Sequence, residues 1–261
     1  MRSKNLSIEL NVFYFLALAG SGALYGLAVL ISRALTLDEP QTLLLTTMAA
    51  QLAPGIAAII CKTVFKNAVP IGAVPELHPG LLLALLIPPV SVSVQHFVLE
   101  FIGQTFIPSI FFASGGLVLF TVLTTFIGSF FEEIGWRGYL HGTLRRRLKP
   151  FHSALLTSVL WGIWHITKIT QFGFGHYLLF VLSILPLGII MVYLYEKAGG
   201  CLVPSTILHT VHNLAFMYLL YDRESMTGYI TSFITLLIIL TIILFLDREF
   251  FRQDKVLEDK Q

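Results

Sequence analysis

LVLFTVLTTFIGSFF (117–131) runs without a charge into EEIGWRG (132–138), where two adjacent carboxylates, Glu132 and Glu133, are followed by Arg137. An ionisable side chain inside a membrane span is costly, so the Glu-Glu pair marks a functional site whose partners must come from other helices. The chain around it is 56% hydrophobic and 12% charged, with a mean hydropathy of +0.80, where soluble domains carry roughly 25% charged residues. The expected fold is therefore all-α, a polytopic helical bundle forming a single integral membrane domain over 1–261.

A span needs about 20 mostly apolar residues. Windows of that length fall near 11–32, 41–61, 80–102, 110–133, 153–171, 177–195, 201–221 and 228–246, which predicts about eight transmembrane helices. The third is broken by Pro88-Pro89, Ser91, Ser93, Gln95 and His96, and such breaks are tolerated where neighbours re-satisfy the backbone. With eight spans and cytosolic N and C termini, thirteen of the 17 Lys and Arg residues face the cytosol, as the positive-inside rule favours. They are Arg2, Lys4, Lys62, Lys66, Arg145, Arg146, Arg147, Lys149, Lys197, Arg248, Arg252, Lys255 and Lys260. Arg33, Lys168 and Arg223 face the other side.

At the N-terminus, Ala17-Leu18-Ala19 follows a basic start and an apolar run, but the run continues to Ile31, so a retained first helix is expected rather than a cleaved leader. From Tyr139 to His152, Leu140, Leu144 and Leu148 recur at helical spacing beside Arg145, Arg146, Arg147 and Lys149. This reads as an interfacial helix on the cytosolic surface, or as a basic topogenic loop serving the same orientation. Cys61 and Cys201 have no metal-ligand spacing and are expected to be free core residues. The net charge of +2 and its short basic clusters argue against nucleic acid as a partner.

If Glu132 faces the bundle interior, side chains at its depth can be found at roughly 1.5 Å per residue. Glu132 lies about 20 Å from Arg145, His165 about 20 Å from His152, and His209 and Asn213 about 15 and 20 Å from Gly199. Four polar groups on three helices thus fall in one layer. His209 and Asn213 share a helix face, and Glu133 precedes Arg137 by four residues in the favourable acid-first order. That pair can neutralise itself, which leaves Glu132 as the unpaired carboxylate. Gly128, Gly135, Gly138, Gly142, Gly162 and Gly188 permit close helix approach. Trp136, Trp161 and Trp164 are expected to pack or to anchor at the interface. His141 and His152 are placed in the headgroup zone and His212 in packing, and no role falls to His96 or His176.

Glu-Glu-x-x-x-Arg at 132–137, aromatic-x-x-x-His at 161–165 and His-x-x-x-Asn at 209–213, in that order on separate spans, resemble the CPBP intramembrane protease family. That family, also called CAAX protease and bacteriocin-processing or Abi, includes the type II CAAX prenyl endopeptidases. The resemblance covers a core of about 110–221, with Trp161 where the family usually has Phe. It implies an intramembrane endopeptidase acting on a membrane-associated peptide or protein at the bilayer. Glu132 and His165 would activate a water, His209 and Asn213 would donate to the oxyanion, and Glu133 and Arg137 would support Glu132. No cofactor is expected.

Three other readings use the same residues. Glu132, His165 and His209, with His212 in reserve, are residue types that hold catalytic zinc, although no His-Glu-x-x-His is present. A non-catalytic bacteriocin-immunity or peptide-binding membrane protein would use the polar layer for docking. A proton-coupled transporter would use it as a relay, but that predicts repeats and paired broken helices.

Overall fold

The computed structural model describes residues 2–65, 79–104, 114–219 and 225–252. Lys66, Arg223, Lys255, Lys260 and the edges of two expected spans, at 110–113 and 220–221, lie outside them. In chain order the helices are α1 (Arg2–Ala34), α2 (Glu39–Phe65), α3 (Gly80–Phe101) and α4 (Gly115–Glu133). A π-helical segment, Ile134–His141, continues α4 into the short α5 (Gly142–Arg145). Then come α6 (Pro150–Trp164), α7 (Lys168–Phe172), α8 (Phe174–Lys197), α9 (Val203–Leu219), α10 (Met226–Leu246) and α11 (Arg248–Arg252).

Among the described residues six helical stretches are long and apolar enough to cross a bilayer: Leu6–Ala34, Glu39–Phe65, Gly80–Phe101, Gly115–Arg145, Phe174–Lys197 and Met226–Leu246. The chain is an integral multi-pass membrane protein with an all-α fold. The other two expected spans are occupied by shorter helices, α6 with 15 residues and α9 with 17. The window 153–171 does not hold one helix. It breaks after Trp164, where His165 takes φ −79° and ψ 20°, and Lys168 starts a new turn.

Local chemistry places the ends. Ser114 caps α4 by accepting the Leu117 N–H at 3.2 Å, and Ser225 caps α10 through Gly228 N–H at 3.4 Å, each satisfying a donor that a helix start leaves open. Pro150 opens α6, where its missing N–H costs nothing. Inside α2, Pro54 cannot donate to Ala50. The single hydroxyl proton of Ser21 on α1 is shared between its own-helix Ala17 carbonyl at 2.8 Å and that Ala50 carbonyl at 2.9 Å, and Trp164 Nε1 donates to Ser21 Oγ at 3.0 Å. A proline in one span is thus repaired by a serine in another.

α2 packs between α1 and α4, α3 packs on α9, and α8 packs on α6, α9 and α10. Glycines set these contacts. A Cβ on Gly135 would stand 2.5 Å from Pro54 Cβ, and one on Gly55 would stand 2.7 Å from the Phe131 ring. Gly162 faces Val181, and Gly188 faces Ser158.

The expected surface helix over 139–152 is corrected by the fold. Tyr139 to Arg145 are all buried, with Arg145 and Arg146 spent on carboxylates of other helices, while Arg147 and Lys149 stay exposed. Arg145 Nε donates to Glu196 at 2.6 Å and His141 Nε2 contacts the same oxygen at 2.7 Å. Arg146 pairs with Glu9 at 2.6 Å, and Tyr139 donates to Glu9 at 2.8 Å. His141 therefore belongs to a buried ion-pair cluster and not to the headgroup zone, while His152 is exposed. Cys61 and Cys201 are free and buried.

Candidate active site

Glu132 and Glu133 are the last two residues of α4, immediately before the helix widens into its π-helical segment. Such segments are rare and frequent at functional sites. The two carboxylates diverge. Glu133 Oε1 accepts Arg137 Nη1 at 2.8 Å and His209 Nδ1 at 2.9 Å, and both members of the Glu133–Arg137 pair are fully buried. The expectation that this pair closes on itself and leaves Glu132 apart from it holds.

Glu132, 1% exposed, is held by neutral donors. Gln51 Nε2 donates to Oε1 at 2.8 Å and Trp161 Nε1 donates to Oε2 at 2.7 Å. Neither contact was legible in the sequence. Gln51 lies on α2 with no motif around it, and its amide reaches Glu132 through space that Gly128 leaves open, since a Cβ there would overlap the Gln51 side chain. Trp161, expected only to pack or anchor, is both donor to Glu132 and the face over which the Arg137 guanidinium sits, 4.5 Å from the ring centroid. A phenylalanine has no N–H for the first of these roles.

His165 sits at the break between α6 and α7. Its Nδ1 lies 2.9 Å from the Trp161 carbonyl. A carbonyl only accepts, so Nδ1 carries the proton and Nε2 offers a lone pair. The ring is fixed edge-on by Trp164 at 4.7 Å and Phe180 at 4.9 Å. His209, on α9, packs against Trp161 at 5.4 Å and spends Nδ1 on Glu133, so only its Nε2 remains for a substrate.

Glu132, His165, His209 and Asn213 line one cavity of about 280 Å³ together with Gln51, Trp161, Lys168 and His212. The cavity lies toward one end of the bundle, lined from the first half of α2, the middle turns of α8, the first turns of α10 and the later turns of α9. His212 stacks on Phe216 at 6.0 Å and also borders the cavity, so its packing role and its proximity to the site coexist. Trp136 is buried against Phe13 and Trp164. Among the described residues no group of three His, Cys, Asp or Glu side chains is placed to hold a metal ion; Glu132, His165, His209 and His212, the residues of the zinc alternative, all line the cavity.

Comparison with known proteins bears on this same region. Residues 114–215 match the family described as type II CAAX prenyl endopeptidase Rce1-like. A CAAX prenyl protease 2 of Methanococcus maripaludis is 31% identical over 146 residues, which cover 52% of this chain and 52% of that protein. The aligned part thus spans about half the length of the curated relative. The resemblance read from the three motifs is upheld over the region that carries Glu132, His165, His209 and Asn213. Gln51 falls outside the family match.

Proposed function

We propose that this multi-pass membrane protein, similar over 114–215 to the type II CAAX prenyl endopeptidases, is an intramembrane endopeptidase that hydrolyses a peptide bond in a membrane-associated peptide or protein. The observation that carries the reading is a carboxylate, Glu132, oriented by two N–H donors in a cavity it shares with His165, His209 and Asn213.

Peptide hydrolysis needs an activated water and donors for the oxyanion. In this reading water donates one hydrogen bond to a free lone pair of Glu132 and the other to Nε2 of His165. Glu132 takes a proton as the water oxygen bonds to the scissile carbonyl carbon, and the displaced π electrons become the oxyanion. Asn213 donates to that oxygen from its amide, and His209 donates from Nε2. In that role His209 carries a proton on each ring nitrogen, the one on Nδ1 facing the Glu133 carboxylate. The intermediate collapses with cleavage of the C–N bond, and Glu132 returns its proton to the leaving amine. Arg137 balances Glu133, so the His209–Glu133 contact is made by a carboxylate already held in place.

No metal takes part in this sequence of steps, and the test includes that point. Detergent-purified wild type and Glu132→Gln are incubated with membrane-associated peptides, a prenylated C-terminal peptide among them, with and without a zinc chelator. Wild type is expected to cleave equally with and without chelator, and Glu132→Gln to lose at least about a hundredfold in rate, in line with ~10²–10⁴-fold for a general base. Loss of wild-type cleavage on chelation, restored by zinc, would replace the glutamate mechanism. Equal peptide binding by both proteins with no cleavage by either would leave a peptide-binding membrane protein.

A further inference from the structure

Glu132 is held from two helices at once, with Gln51 on α2 reaching one oxygen and Trp161 on α6 the other. Both bonds exist together only at one separation of α2 and α6, since a hydrogen bond is lost once its heavy atoms stand about 3.6 Å apart. α2 packs chiefly on α1 and α4, whereas α6 packs chiefly on α8, so that separation comes from what bridges the two helices. The bridge is on α1. Ser21 Oγ shares its proton between the Ala17 carbonyl and the Ala50 carbonyl of α2, and it accepts Trp164 Nε1 of α6 at 3.0 Å. Ala50 directly precedes Gln51, and Trp164 lies one turn past Trp161 and directly precedes His165. Glu132, Gln51, Ser21, Trp164 and Trp161 thus close a ring of four interhelical hydrogen bonds, completed by one peptide link in α2 and one turn of α6.

We propose that Ser21 is a positioning residue, its hydroxyl setting the distance between α2 and α6 at which Gln51 and Trp161 hold Glu132 together and fixing, through Trp164, the ring of His165. This rests on the reading of the cavity as a peptidase site. Two further contacts place α1 for the role. Tyr14, two turns before Ser21, donates to the Leu160 carbonyl at 3.0 Å, so α1 grips α6 on both sides of Trp161. A Cβ on Gly20 would stand 3.3 Å from Ala53 Cβ, so α1 and α2 are in close approach beside the serine. The Trp164 ring packs edge-on against His165 at 4.7 Å, which passes the position of the indole to the imidazole. Ser21 acts through these side chains, and a 1 Å misplacement originating far from the chemistry costs up to ~10²-fold in rate.

The first test reads geometry without turnover. With the indole nitrogens isotope-labelled, the three tryptophans give three N–H signals in nuclear magnetic resonance, assigned by replacing each with Phe in turn. Ser21→Ala is expected to move the Trp164 signal, whose acceptor is gone, and the Trp161 signal as well, as its bond to Glu132 lengthens. Ser21→Thr keeps the hydroxyl and restores both. Ser32→Ala removes another α1 hydroxyl, one that bonds within its own helix to Ala28 at 2.8 Å, and is expected to move neither. If Ser21→Ala does not fold, Trp164→Phe breaks the same ring at its next bond and leaves the Ala50 carbonyl satisfied. A Trp161 signal that stays in place when the ring is broken overturns the proposal.

Kinetics then separate it from the underlying function. On the prenylated C-terminal peptide, kcat is expected to fall about tenfold in Ser21→Ala and in Trp164→Phe, with KM nearly unchanged, and to recover in Ser21→Thr. The double variant loses no more than either single one, because both break one ring. Additive losses, or a loss confined to KM, overturn the positioning role. Wild type that cleaves nothing while the Trp161 signal follows Ser21 removes the peptidase alone. Cleavage by wild type with signal and kcat unmoved in Ser21→Ala removes the positioning role and keeps the peptidase.

Discussion

Both oxygens of Glu132 accept from uncharged N–H groups, so its orientation depends on Gln51 and Trp161 and not on an ion pair. Trp161→Phe keeps an aromatic ring beside Arg137 and deletes the indole donor together with part of the ring's volume. We expect kcat to fall about tenfold with thermal stability nearly kept, since a net hydrogen bond is worth about 0.5–1.5 kcal/mol. Unchanged kcat would return Trp161 to packing alone. Arg137 has a different weight. It is fully buried against Glu133, and removing one partner of a buried pair costs about 3–5 kcal/mol because the other charge is left bare. Arg137→Met is therefore expected to unfold at a markedly lower temperature in detergent, and Glu133→Leu combined with Arg137→Met to recover much of that loss. The sequence announced the acid, the two histidines and the asparagine because charge and imidazole are conspicuous in apolar spans. It did not announce Gln51 or the indole N–H, because an amide or a tryptophan in a span has many ordinary uses and the partner lies 81 or 29 residues away.

At the level of elements, the unusual piece is the continuous run from α4 through the π-helical segment into α5, buried along its second half. Hydrophobic spacing alone made 139–152 an amphipathic surface helix. What spacing could not show is that Glu9 on α1 and Glu196 on α8 reach in to neutralise Arg146 and Arg145. The same limit applies to α6, whose apolar pattern runs past His165 although its backbone does not. Two glycines give a contrast that tests how this run is seated. Gly128 faces the flexible end of Gln51, whereas Gly135 faces the Pro54 backbone, with a would-be Cβ 2.7 Å from its carbonyl oxygen. Gly128→Ala is expected to push the Gln51 amide off Glu132 and lower activity with a small change in melting temperature. Gly135→Ala forces two helices apart and is expected to cost about 1–3 kcal/mol of stability, as overpacking does. Thermal unfolding read beside activity distinguishes them, and a larger stability loss at Gly128 than at Gly135 would contradict this packing.

Across the whole molecule, three charged pairs gather at one end and the cavity lies toward the other. Glu9–Arg146, Glu196–Arg145 and Lys197–Asp247 occupy the first end, while Leu43, Lys168 and Tyr229 border the cavity. The Lys197 ammonium, 2.7 Å away, donates to Asp247 and holds its carboxyl below the usual carboxylate range. A depressed carboxylate stabilises the fold above its unfolded pKa and ceases to as pH falls through the folded value, so Asp247→Asn is expected to lower the melting temperature slightly at neutral pH, leave it nearly unchanged at acid pH, and so flatten the acid limb of the profile. Polarity of charge was legible from the sequence, because thirteen of the 17 Lys and Arg residues segregate under one topology, but the side from which substrate approaches depends on the orientation itself. Native Cys61 and Cys201 are buried, which leaves single exposed replacements as clean reporters once both are changed to Ala. Under the expected orientation Arg147→Cys faces the cytosol and Glu39→Cys, near the cavity end, faces away from it. An impermeant maleimide on intact cells then labels only the position-39 variant, and under the proposed function the cavity receives its substrate from the non-cytosolic side. Labelling of the position-147 variant alone would invert the bundle and make the site cytosol-facing, which is the geometry a cytosolic lipidated C-terminus requires.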